Sequence, residues 1–209
     1  AKVTEHRKLP NDLIKILKSL PKETKPMDVL QMAVSSLGTF YNLEVSPEKV
    51  KGKKYNKDYF MNTSAALIGS LGSVVAAWHR IRNDKEPIIS NQDSTYAENF
   101  LLMLGAENIT PLMTRIMDAT LVLHGEHTIN ASTFTAMVTS STLANASQVV
   151  ASAIGSLSGP LHGGANEKVV SMLSKIDNKD DIRPWLDDTL KAKNVVWGMG
   201  HSCLLYTSD

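Results

Sequence analysis

The stretch Ala65-Ala66-Leu67-Ile68-Gly69-Ser70-Leu71-Gly72-Ser73-Val74-Val75-Ala76-Ala77-Trp78 decides how the chain folds. It is apolar but for two serines and rich in Gly and Ala, so it reads as the middle of a long helix, from about Asp58 to Arg82, packed closely against its neighbours. Asn83, Asp84 and Pro87 close that helix. On its N-terminal side, Ser46 to Lys57 carries Lys49, Lys51, Lys53, Lys54 and Lys57 with Pro47 and Gly52, a pattern that fits a solvated connection. Before it, Pro26 opens a helix with Val29, Leu30, Ala33, Val34 and Leu37 inward and an end near Asn42. Leu13, Ile14, Ile16, Leu17 and Leu20 form one helical face between Pro10 and Pro21.

The same periodicity continues after the central helix. Asp93 or Ser94 can cap a helix holding Tyr96, Ala97, Phe100, Leu101 and Leu104, and Gly105 stands where a terminating glycine is expected. Thr110-Pro111 starts another, through Leu112, Ile116, Met117, Ala119 and Leu123. Alternating strand patterns are scarce, so the expected fold is all-α.

Composition bounds the function. A chain of 209 residues with 43% hydrophobic residues can bury a substantial core, as one domain or as one domain plus part of a second. Lys+Arg 22 against Asp+Glu 21 leaves a net charge of +1, so nucleic acid is not the default partner. There is no uninterrupted run of about 18 apolar residues, and residues 1–8 lack the apolar centre of a signal peptide. No membrane partner is expected, and the chain reads as soluble and cytoplasmic. The single Cys203 can form no internal disulfide and offers no metal-ligand spacing, which fits a reducing compartment.

Three histidine segments concentrate the chemistry. His124-Gly125-Glu126-His127-Thr128-Ile129-Asn130-Ala131-Ser132-Thr133-Phe134 places two imidazoles, a carboxylate and an amide within seven residues, followed by a helix rich in small side chains. His124 and His127 are three apart, as metal ligands on one helix face can be, but no third ligand is evident and the pattern is not His-Glu-x-x-His. His124 alone also fits a core histidine bonded to backbone. In Gly159-Pro160-Leu161-His162-Gly163-Gly164-Ala165-Asn166-Glu167, glycines free the backbone for positive φ and close approach, and a tight turn presents His162. Ala165 to Leu173 reads as a helix, whose free N–H groups and positive end favour developing negative charge beside His162. A neutral imidazole there could donate to a carbonyl oxygen as it becomes an enolate; the alternative is a glycine-rich interhelical turn with an incidental histidine. Gly198-Met199-Gly200-His201 follows a helix around Arg183 to Lys193 and on its own is a low-specificity turn.

In combination these segments resemble the citrate synthases of bacteria and archaea over essentially Ala1 to His201. The carriers are Ala77-Trp78-His79-Arg80-Ile81-Arg82, Ala97-Glu98-Asn99-Phe100-Leu101, the His124 to Phe134 block, Gly159 to Glu167, Arg183-Pro184-Trp185, and Gly198 to His201. The resemblance implies a helical homodimer, an acyltransferase that condenses acetyl-CoA with oxaloacetate and hydrolyses the citryl thioester, without metal or cofactor. It implies that His162 hydrogen-bonds the thioester carbonyl and stabilises the enol. It implies that His201 polarises the oxaloacetate ketone, that His127 binds oxaloacetate, and that Asn130 lies near the site behind these groups. It also implies a large helical domain over 1–160, its N-terminal part missing, and an incomplete small one over 161–201. A 2-methylcitrate synthase using propionyl-CoA would share these histidines. A non-catalytic helical dimerisation or binding protein could keep the fold.

The family's motif normally continues from the last histidine into arginine and an aromatic residue, with further arginines and the aspartate base downstream. Here the chain reads Ser202-Cys203-Leu204-Leu205-Tyr206-Thr207-Ser208-Asp209. Cys203 to Asp209 is the translation of a transposase-end sequencing adapter in one frame, so 202–209 is expected to be an adapter-derived tail. By itself, the chain is expected to lack turnover, because the family's base and carboxylate clamps are not matched in it.

Overall fold

The computed structural model describes residues 2–43, 57–125 and 129–199. The described residues hold ten α-helices, a short 3₁₀ turn and no strand, which is the all-α fold the periodicity predicts. The helices are α1 (Lys2–Glu5), α2 (Asn11–Ser19), α3 (Pro26–Phe40), α4 (Lys57–Arg82) and α5 (Tyr96–Leu104). They continue with α6 (Pro111–Leu123), α7 (Ala131–Ser141), α8 (Ala146–Leu157), α9 (Gly164–Leu173) and α10 (Ile182–Lys191). The chain divides into two compact units, Ala1–Ser156 and Leu157–Asp209.

The first unit is built around α4, which packs against α1, α2, α3 and α5. Its small residues allow this. A Cβ at Gly69 would lie 2.4 Å from the Val3 carbonyl oxygen, so α1 reaches α4 backbone to backbone. Ala65, Ala66, Leu67, Ser70, Ser73, Val74, Ala76, Ala77 and Trp78 are all buried along the stretch that reads as closely packed. By length and composition α4 could also cross a membrane, but 56% of its apolar window is buried inside the fold, as in the core helix of a globular unit. Leu13, Leu17, Val29, Ala33, Val34 and Leu37 are fully sealed in the same core, joined by Ala151 and Ile154 of α8. Burial of each large aliphatic side chain contributes about 1.5–3 kcal/mol. Ile16, expected on the inward face of α2, is instead 38% exposed, because it points to one side of the Leu13 and Leu17 stripe, about 60° from Leu13 and about 100° from Leu17 around the helix.

Helix ends follow local chemistry. Asn42 takes the left-handed conformation (φ 50) just beyond α3, and Leu43 N–H closes the turn on Gly38 O at 2.9 Å. Gly105, at φ 91, ends α5 as expected. The start of α5 differs from expectation: the cap is Thr95, not Asp93 or Ser94. Its hydroxyl accepts the Glu98 N–H at 3.2 Å, in the Thr-x-x-Glu spacing of a capping box. Thr110 caps α6 in the same way through Met113 N–H, with Pro111 as its first residue. The Ser46 to Lys57 connection lies outside the described residues except for Lys57, which opens α4.

In the second unit, α9 is followed by the 3₁₀ turn Lys179–Asp181, which packs on α10. Helix α10 runs from Ile182 to Lys191 and stops before Lys193, which adopts φ 55 while Asn194 N–H bonds Thr189 O at 3.0 Å. Lys168 Nζ stands 4.1 Å from the centre of the Trp197 ring, tying α9 to the segment after α10.

Candidate functional site

His162 sits on the turn from α8 to α9, and that turn is held by its own amides. His162 N–H donates to Gly159 O at 3.0 Å, Gly163 N–H to Leu157 O at 3.0 Å, and Gly164 N–H to Gly159 O at 3.3 Å. Ala165 and Asn166 donate to His162 O and Gly163 O at 3.4 and 3.2 Å. This corrects two expectations. The amides around the start of α9 are spent inside the turn, so an oxyanion beside His162 would be met by the imidazole rather than by free backbone N–H groups. Nor do the glycines supply positive φ: Gly105 and Gly198 alone among the described glycines do, and Gly163 has φ −68.

Close approach explains Gly163 instead. A Cβ there would lie 2.3 Å from Leu157 O and 3.0 Å from Leu157 Cδ1, a contact no side chain tolerates. Helix α9 begins at Gly164, one residue earlier than expected, so its positive end lies immediately after the His162 turn. His162 is half-buried, while Leu161 beside it is fully exposed.

His124 and Asn130 stand at the two ends of the connection between α6 and α7, in the first unit. His124 ends α6, and its Nδ1 lies 2.7 Å from Thr120 O. A carbonyl can only accept, so Nδ1 carries the hydrogen. The backbone bond expected of a structural histidine is present, but the ring is exposed rather than in the core. Asn130 caps α7: its Oδ1 accepts from Thr133 N–H at 2.9 Å and from Thr133 Oγ1 at 3.3 Å. The carboxamide is thereby fixed, which suits a residue that shapes the connection from behind. Glu126 and His127 lie outside the described residues, as does His201. Helix α7 is pinned to α8 through Ser132 Oγ to Ala153 O (3.1 Å) and Thr139 Oγ1 to Ser152 Oγ (2.9 Å), so its small side chains do permit close packing. Among the described residues no three His, Cys, Asp or Glu side chains gather as a metal site would need.

The profile described as "Citrate synthase, C-terminal domain" matches residues 1–208. A citrate synthase of Acidithiobacillus ferridurans is 41% identical over 196 residues, covering 94% of this chain and 50% of the relative. A 2-methylcitrate synthase 2 of Corynebacterium glutamicum is 37% identical over 204 residues, covering 94% of this chain and 50% of the relative. The crystal structure of citrate synthase from Thermotoga maritima superposes with a TM-score of 0.73 at 30% identity, covering 96% of this chain and 50% of that one. The chain thus spans about half the length of the relatives it matches. A profile match over nearly every residue, an all-helical fold shared with a citrate synthase, and the His162 turn between two helices agree: the chain belongs to the citrate synthase family.

Proposed function

We propose that this chain carries part of the active site of a citrate synthase, an acyltransferase that joins acetyl-CoA to oxaloacetate and hydrolyses the product thioester to citrate and CoA. The observation that carries the reading is the placement of His162 on a self-closed turn at the positive end of α9. A carboxylate base removes a methyl proton from acetyl-CoA as His162 donates to the thioester oxygen, which bears the developing charge. The enol carbon attacks the oxaloacetate ketone, whose oxygen takes a proton from His201 while His127 holds the substrate. Water then cleaves the thioester and CoA leaves. Asn130 acts by holding the α6–α7 connection in place. No metal or cofactor enters these steps.

This reading assigns residues 1–160 to a large helical domain and 161–201 to the beginning of a small one. A homodimer is supported by the apolar residues that α6 and α7 leave exposed, including Leu112, Ile116, Val122, Phe134 and Met137. A cytoplasmic location fits an enzyme that uses these metabolites.

A 2-methylcitrate synthase is the second reading, favoured by a relative of that name whose 37% identity falls within the 35% to 41% of the relatives named citrate synthase. The test uses the polypeptide encoded by the reading frame that contains this chain. CoA release is followed with a thiol reagent, with acetyl-CoA or propionyl-CoA and with or without oxaloacetate. Preference for acetyl-CoA supports the first reading and preference for propionyl-CoA the second. No release with either supports a binding protein of the same fold.

A further inference from the structure

The geometry points to Lys168 and Trp197 as positioning residues, whose stack holds the 196–199 turn on α9 and so sets the chain that leads into His201 against the His162 turn. This role presupposes the citrate synthase reading, in which both histidines act on one pair of reactants. Lys168 Nζ stands 4.1 Å from the centre of the Trp197 ring, inside the roughly 6 Å over which an indole face attracts a cation. Lys168 is exposed and Trp197 half-buried. Among the described residues no carboxylate pairs with Lys168, so the ring is what its charge meets in the fold.

The contacts follow one face of α9. Trp197 meets Lys168, a Cβ at Gly198 would lie 3.6 Å from Val169 Cγ2, and Val196 and Met199 line one cavity with Met172. Residues 168, 169 and 172 fall within about 100° around the helix, and Ala165 points to the same side. Ala165 is also tied to the catalytic turn, since its N–H donates to His162 O at 3.4 Å. The segment that docks here is itself a tight turn. Met199 N–H bonds Val196 O at 3.3 Å, and Gly198 takes φ 93, as the third residue of a type II turn must. Trp197 is therefore a corner residue, held on one side by the turn and on the other by Lys168. His201 follows Met199 by two residues. One helix thus joins the turn carrying His162 to the segment preceding His201, within a single compact unit. Condensation depends on the spacing of the group that meets the enol and the group that meets the ketone, and the stack acts on that spacing.

The experiment uses the polypeptide encoded by the full reading frame and follows CoA release from acetyl-CoA and from propionyl-CoA with oxaloacetate present. Lys168→Met and Trp197→Leu are each expected to lower kcat about 5-fold, the shift an exposed stack of this kind can supply, with KM for the acyl-CoA unchanged. The double variant is expected to lose no more than either single one, because both remove the same contact. Lys168→Arg keeps a cation and Trp197→Phe keeps a ring face, so each should stay within about 2-fold of wild type. Should Trp197→Leu not fold, Lys168→Met against Lys168→Arg decides, since Lys168 is exposed. Wild-type kcat in Lys168→Met overturns the proposal, as do losses that multiply in the double variant. A raised KM at unchanged kcat overturns it too, by assigning Lys168 to CoA rather than to the ring. These outcomes leave the citrate synthase reading standing, whereas CoA release from neither substrate by the wild type overturns both.

Discussion

Gly163 donates its amide hydrogen to the carbonyl of Leu157 at 3.0 Å, and the same carbonyl lies where a Gly163 side chain would begin. One contact therefore both closes the turn that carries His162 and forbids any larger residue. Gly163→Ala is expected to shift that turn and lower kcat/KM about 100-fold while leaving far-UV circular dichroism unchanged, since small displacements of a reacting group are costly. Steady-state kinetics on the full reading frame checks this. Wild-type kcat/KM in the variant would show that the contact does not set the position of His162.

Gly69→Ala tests the central packing. The added Cβ would meet the Val3 carbonyl at 2.4 Å and His6 Cβ at 2.9 Å, and backbone cannot swing aside as a flexible side chain can. Overpacking of this kind costs about 1–3 kcal/mol. Urea denaturation should show the loss as a lower midpoint at unchanged slope.

Thr95→Ala removes the cap of α5 and is expected to destabilise by about 1 kcal/mol. Thr95→Ser should restore most of it, because the hydroxyl rather than the methyl meets Glu98 N–H. Equal losses in the two variants would assign the effect to packing.

Stability should fall at alkaline pH through Tyr41. Burial pushes its phenol above the ordinary value of 10.0, and the hydrogen bond with Ser70 Oγ offsets part of that shift. The raised folded value means that the unfolded chain loses its proton first. The contribution is complete below the unfolded value and is lost as pH rises through the folded one. Urea midpoints from about pH 8 to 11 should decline above about pH 10, and less steeply in Tyr41→Phe.

The helices were legible because their signals are local. Pro26, Pro111 and Gly105 mark ends by backbone geometry alone, and Leu13, Leu17, Val29 and Val34 recur at the helical period. The start of α5 differs because Asp93, Ser94 and Thr95 can all cap, and Thr95 is the one whose hydroxyl meets the Glu98 N–H. At the site, the glycines of the His162 turn read equally as sources of conformational freedom and of close approach. Whether a glycine serves φ or space depends on what lies beside it, here Leu157, and that is not written locally. Arg7 carried no sequence signal: one of two adjacent basic residues ahead of Leu9-Pro10, it becomes distinctive only when folding buries it with its Nη1 on the Ser94 and Asn91 carbonyls.

The most direct test of the account is oxaloacetate-dependent release of CoA from acetyl-CoA by the full reading frame, wild type against His162→Gln. The expected result is turnover in the wild type and a loss of about 100- to 1,000-fold in kcat in the variant, as for removal of a donor to a developing oxyanion. Equal CoA release by the two proteins would contradict the role given to His162.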